Sequence, residues 1–180
     1  MPFAYYDKLS AAQQRTYRKS DMLRRIELAN VAPLMPLAAA IGPALASESP
    51  REVERACQAL VDATNAQIKT PPVVMRVLAR RPADAGGELQ GLYEPDEVTG
   101  GTARITLWMR TAQREQIVKF RTFLRTLVHE LCHHFDYELY RLDETFHTEG
   151  FYARESAMMR ELLGETRRTP GDQGALPRER

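Results

Sequence analysis

Residues His129-Glu130-Leu131-Cys132-His133 spell HExxH, and this spacing constrains the chain more than any other feature in it. Two histidines four positions apart share one face of an α-helix, where their imidazoles can meet a single ion, and the glutamate between them can reach a water on that ion. The flanking residues agree with a helix. Phe120, Leu124, Leu127, Val128, Leu131 and Phe135 form one apolar stripe, and His129 and His133 project from the opposite side. A helix buried on one face and carrying two histidines on the other is what a metal cleft requires. The expected cofactor is Zn2+, which brings the pKa of its water towards neutrality. Glu130 is then the general base that takes the proton and makes a nucleophile for an amide carbonyl.

A catalytic zinc site takes three protein ligands and leaves the fourth position open. His147 is the expected third ligand, in the run Phe146-His147-Thr148-Glu149-Gly150-Phe151 at the start of a last helix that packs through Phe151, Met158, Met159 and Leu162. Glu149 and Glu155 compete for that role. Glu155 falls among apolar positions, where an unpaired charge is costly, so it reads as an ion-pairing or ligand-orienting group. Asp136, one turn past His133, is the residue expected to orient a ligand imidazole. His134 lies at the margin of the apolar stripe and reads as structural, and Cys132 as a small buried residue. Tyr137, Tyr140 and Tyr152 each carry a hydroxyl able to donate to an oxyanion, and the sequence does not choose among them.

Around this motif the pattern predicts an α+β fold. Ser10 caps a helix running through Gln13, Tyr17, Met22, Leu23 and Ile26, and a proline-interrupted, irregular helical segment follows to about Ser47. Ser49-Pro50-Arg51-Glu52 is a capping box with proline at the first helical position, opening a helix to about Ile68. The period then changes. Val73 to Leu78, Glu88 to Tyr93 and Thr102 to Met109 read as three strands, the last two a hairpin across Gly100-Gly101. Helix is expected from about Ala112 to Leu139, then a loop, then a last helix stopped by Gly164. The expected organisation is an N-terminal helical segment (1–47) packed on or covering the domain, a catalytic domain (48–164) and a disordered tail (165–180). The sheet, antiparallel or mixed, packs on the HExxH helix and the ligand helix after it.

Composition narrows the partners. A formal charge of +1 over 180 residues gives no overall field for nucleic acid or an anionic membrane. Two cysteines, Cys57 and Cys132, make no disulfide scaffold. The apolar stretch from Val31 to Ala46 is broken by Pro33, Pro36, Gly42 and Pro43 and falls short of the ~20 residues of a membrane span. No secretory signal pattern opens the chain, so a cytoplasmic location is expected.

The order of strands, HExxH helix, short link and a histidine followed by glycine and an aromatic at a helix start resembles the SprT-like small zincin metallopeptidases, over roughly residues 73–163. Gly91-Leu92-Tyr93 and Ile105-Thr106-Leu107 are similar to the hairpin before the motif helix in such minimal gluzincin-shaped folds. The resemblance implies a zincin-like fold, His129, His133 and His147 as ligands and Glu130 as base. It also implies that the strand near Glu88 to Tyr93 is an edge that holds a protein or peptide substrate by β-addition. Two departures stand out. In those families glycine follows the third histidine directly, whereas here Thr148 and Glu149 intervene, and no zinc-ribbon cysteines follow, so DNA association does not carry over. The HTEGF run is also similar to that of an uncharacterised bacterial family, which implies no activity. Zinc-dependent peptide hydrolysis is the expected function. The alternative is a non-catalytic, zinc-stabilised peptide-binding domain, and Glu130 speaks against it because a structural zinc has no use for a base.

Overall fold

Helix starts follow the capping chemistry in the sequence. Ser10 Oγ accepts from the Gln13 N–H and the Gln13 side chain returns the bond to the Ser10 N–H, opening α1 (Ala11–Met22). Ser49 Oγ accepts from the Glu52 N–H, with Pro50 at the first position of α3 (Pro50–Ile68). Between them lies α2 (Leu34–Ala46). The computed structural model describes residues 3–80, 91–111 and 116–165. Within them the chain is α+β, with six helices and one mixed three-stranded sheet. No helix among the described residues is long and apolar enough to cross a membrane.

The sheet has the order β1-β3-β2, with β1 (Val73–Leu78) parallel and β2 (Gly91–Glu94) antiparallel to the central β3 (Ala103–Trp108). The register opposes Val73, Met75 and Val77 to Ala103, Ile105 and Leu107, so one face is apolar and buried under the helices. A single helical turn, α4 (Asp96–Thr99), links β2 to β3 and ends at Gly100, whose φ of 74° suits glycine. The two sheet edges differ. Along β1, the Met75 N–H donates to Gln58 Oε1 (2.8 Å), the Val77 N–H to Glu54 Oε2 (2.9 Å), and the Val73 carbonyl accepts from Gln58 Nε2 (3.0 Å). Side chains of α3 therefore seal that edge, while β2 runs beside α5 (Phe120–Glu138), the helix that carries HExxH. The last helix, α6 (Glu149–Leu162), packs on α5 and α1.

Three expectations about element bounds are corrected. The 31–46 stretch is not irregular, because Pro33 is the N-cap and Pro36 sits in the first turn, where N–H groups have no helical partner; only Pro43 costs a bond. Leu34, Ala38, Ile41 and Leu45 bury one face of the resulting helix. Helix α1 stops at Met22 instead of continuing through Ile26, since the carbonyls at its end are taken by Arg154. Helix α5 begins at Phe120, not near Ala112. Residues 116–118 fold back on 109–111 through Thr111 N–H to Gln116 O and Val118 N–H to Met109 O bonds. The expected start at 112, the strand residues 88–90 and residues 166–180 lie outside the described residues, whereas Glu165 is described and pairs with Arg121.

Candidate metal centre

On α5 the expected stripe is buried from Leu124 onwards: Leu124, Leu127, Val128, Leu131 and Phe135 are fully covered and Phe120 partly, which turns His129 and His133 towards a cleft. Thr148 caps α6 by accepting from the Phe151 N–H, and this cap places His147 just ahead of the helix, facing α5. The three Nε2 atoms converge, with 3.3 Å between His129 and His133, 3.0 Å between His129 and His147 and 3.2 Å between His133 and His147. Phe151 lies beneath all three rings, with centroids 4.9, 4.8 and 5.0 Å away.

The outer nitrogens show which tautomer each of the two α5 rings holds. His129 Nδ1 lies 3.0 Å from Glu155 Oε2, so it carries the proton and donates it. His133 Nδ1 lies 2.7 Å from Thr145 Oγ1, whose own proton goes to Asp136 Oδ2 at 2.8 Å, so His133 must also donate from Nδ1. Both Nε2 atoms therefore present lone pairs to the centre. Bare lone pairs at these distances repel, and a cation between them removes the repulsion. Three nitrogens bound to one zinc at tetrahedral angles lie about 3.3 Å apart, close to the spacing seen. The donor set fits zinc, and burial together with the neighbouring imidazoles and Arg154 pushes His133 down to about 2, so it stays unprotonated at neutral pH.

Glu130 lines the same cleft and is 6 % exposed. Burial raises its carboxyl to about 7, against the opposing effects of His129 and the Tyr93 backbone N–H. Strand β2 comes so close that a Cβ on Gly91 would lie 2.5 Å from Glu130 Oε1. A side chain at 91 would therefore push the Glu130 carboxyl out of this position. The cleft, about 280 Å3, is also lined by Leu92, Tyr93, Pro95, Tyr137, Thr145 and His147, with the Tyr93 and Tyr137 rings stacked on each other.

The competing carboxylates stand elsewhere. Glu155 is held by Arg125 Nη1 at 2.6 Å and orients His129, and Glu149 is exposed beside Arg24. Asp136 reaches His133 through Thr145 instead of touching it. Among the tyrosines, Tyr137 lines the cleft, Tyr152 stacks on His147, and Tyr140 is turned away, its hydroxyl donating to the Arg25 carbonyl. Cys132 is fully buried. The sequence reading missed Thr145, Arg154 and the closeness of Gly91 to Glu130. Only Arg154 left a signal, a charge one turn from Phe151 among the apolar positions of α6.

His134, fully buried, holds the back of the site. Its Nε2–H donates to the Pro71 carbonyl (3.1 Å) and its Nδ1 accepts from the Tyr93 hydroxyl (3.3 Å). Burial lowers it to about 4, with the Pro71 bond working the other way. Unfolded histidine titrates near 6.5, so between those values the unfolded chain binds the extra proton, and the stability is lost as pH falls from about 6.5 to about 4. Denaturant unfolding of the metal-free chain at pH 7 and 4.5 should show a loss on the order of 2 kcal/mol from this group. His134→Gln should flatten that part of the slope. The slope due to His133, shifted the same way, remains in both chains.

Comparison of the chain with protein-family models, with curated proteins and with solved structures returns no match, so the reading of this centre stands on its own geometry.

Proposed function

We propose that the chain is a zinc-dependent peptidase of the zincin kind, with His129, His133 and His147 as metal ligands and Glu130 as general base. One observation carries the reading: three imidazole Nε2 atoms 3.0–3.3 Å apart stand beside a buried carboxylate that is not one of the ligands. Zinc held there supplies Lewis acidity for a carbonyl and makes a water acidic near neutral pH. Glu130 would accept the proton of the attacking water and return it to the leaving amine, a role that suits a carboxylate standing in the cleft wall without being a ligand. Glu155 and Thr145 keep two ligand rings in the tautomer that leaves Nε2 free.

A peptide substrate is supported by the difference between the sheet edges. The far edge is sealed by Gln58 and Glu54, while β2 contributes Gly91, Leu92 and Tyr93 to the cleft wall. An extended peptide laid along β2 by β-addition would bring a backbone carbonyl past Glu130. The test is metal content of the purified chain together with hydrolysis of unfolded casein before and after chelation. One zinc per chain and chelator-sensitive cleavage are expected. Zinc-loaded protein that binds peptide measurably yet cleaves nothing would make this a binding domain.

A further inference from the structure

Asp136 and Arg154, both fully buried, form an ion pair between α5 and α6. Arg154 also reaches the end of α1: its Nη1 donates to the carbonyls of Ser20 (3.0 Å) and Leu23 (2.8 Å), and its Nη2 to Ser20 Oγ (3.1 Å). These carbonyls carry the partial negative charge of a helix C-terminus, which favours the guanidinium. On the other side, Asp136 Oδ2 accepts from Thr145, and Thr145 accepts from His133 Nδ1. We infer that α1 acts on the candidate metal centre through this relay, Arg154 to Asp136 to Thr145 to His133, so that docking of α1 and metal binding are coupled.

The direction of each bond makes the coupling specific. Thr145 has one hydroxyl proton, and while Asp136 takes it, Thr145 can only accept from His133. If α1 moves, Arg154 loses its three acceptors on that helix and Asp136 loses its placed partner. Thr145 is then free to turn its proton towards His133 Nδ1. That imidazole would shift its proton to Nε2 and lose the lone pair the metal needs. Conversely, a metal on Nε2 holds the proton on Nδ1 and with it the whole relay, so the effect runs both ways. Other contacts of α1 lie on the same loop and helix start: Gln13 Nε2 donates to Glu144 (3.1 Å), and Asp21 Oδ1 accepts from the Gly150 N–H (2.9 Å). Helix α1 supplies none of the residues that line the cleft; it also meets the residues on either side of His147, with Ser20 Oγ 3.4 Å from Thr148 Oγ1 and the Tyr17 ring against Phe146. Thr145, Asp136 and Arg154 are positioning residues in this scheme.

The inference rests on the metal-binding reading above, and Thr145→Val separates the two. The variant keeps the shape of the side chain, removes the hydroxyl and alters no proposed ligand. Zinc affinity by chelator competition and amide hydrogen exchange at saturating zinc are measured on the full chain, with α3 as internal reference. In the wild type, zinc should slow exchange across residues 11–23 about fivefold or more relative to α3. Thr145→Val should weaken zinc about 10-fold to 100-fold and lose that extra protection of α1 even at saturation. Thr145→Ser should restore both. Unchanged zinc affinity in Thr145→Val, or α1 protection retained in it, overturns the relay and leaves the metal centre standing. A wild-type chain that binds no zinc overturns both.

Discussion

Glu130→Gln is expected to keep its fold and its zinc and to hydrolyse peptides about 10² to 10⁴-fold more slowly, the usual worth of a positioned general base. The amide is isosteric with the carboxylate, and Glu130 is not among the three converging nitrogens, so occupancy should not change. What is lost is the proposed proton acceptor, a side chain buried against β2. Binding of an extended peptide should survive. The wild-type rate should fall on the acid side, as protons compete with the metal for the proposed ligand histidines. Gly91→Ala offers a second route to the same loss with the carboxyl intact, since the new methyl displaces the end of a flexible side chain and leaves the backbone in place. Steady-state hydrolysis and metal content of the three proteins check this. If Glu130→Gln cleaves at the wild-type rate while chelation stops cleavage, another group accepts the proton.

Gly150→Ala is expected to cost about 3 kcal/mol or more, because the clash is with backbone that cannot step aside. A Cβ at 150 would lie 2.4 Å from the Asp21 carbonyl oxygen and 2.5 Å from that of Ser20. Relief requires α1 to move off α6, which breaks the Asp21–Gly150 bond and pulls Ser20 away from Arg154. For a chain of this length the melting temperature should drop by roughly 6–12 °C. Thermal unfolding with and without zinc gives the answer, and a variant melting with the wild type would mean the helices separate at little cost.

The glycine of the HTEGF run thus has a packing role, which the sequence alone could not reveal. Its neighbours had visible roles: Thr148 as a helix cap, Phe151 as the apolar anchor of α6, His147 as a candidate ligand one turn before that anchor. Gly150 differs because the atoms that crowd it belong to residues 20 and 21, some 130 positions away, and no local pattern records them. Gly91 is the same case, its missing side chain explained only by Glu130 on another element. Thr145 looks like an ordinary loop residue until Asp136 and His133 are seen on either side of it.

What the sequence determined by itself is what short-range geometry controls. The i, i+4 spacing of His129 and His133, the apolar stripe behind them, the caps at Ser10 and Ser49 and the strands at 73–78 and 103–108 all depend on neighbours within a turn or a pleat. Three things were decided only by the tertiary structure. One is which of His147, Glu149 and Glu155 brings a donor atom to the two Nε2 atoms of the HExxH pair: His147 does, while Glu155 meets His129 at its other nitrogen. Another is the sealing of β1 by α3, which leaves β2 beside the cleft. The last is the run of bonds from α1 through Arg154, Asp136 and Thr145 to His133. Each depends on where a buried polar atom finds its partner, and that is settled only when distant segments pack and every such atom must be satisfied.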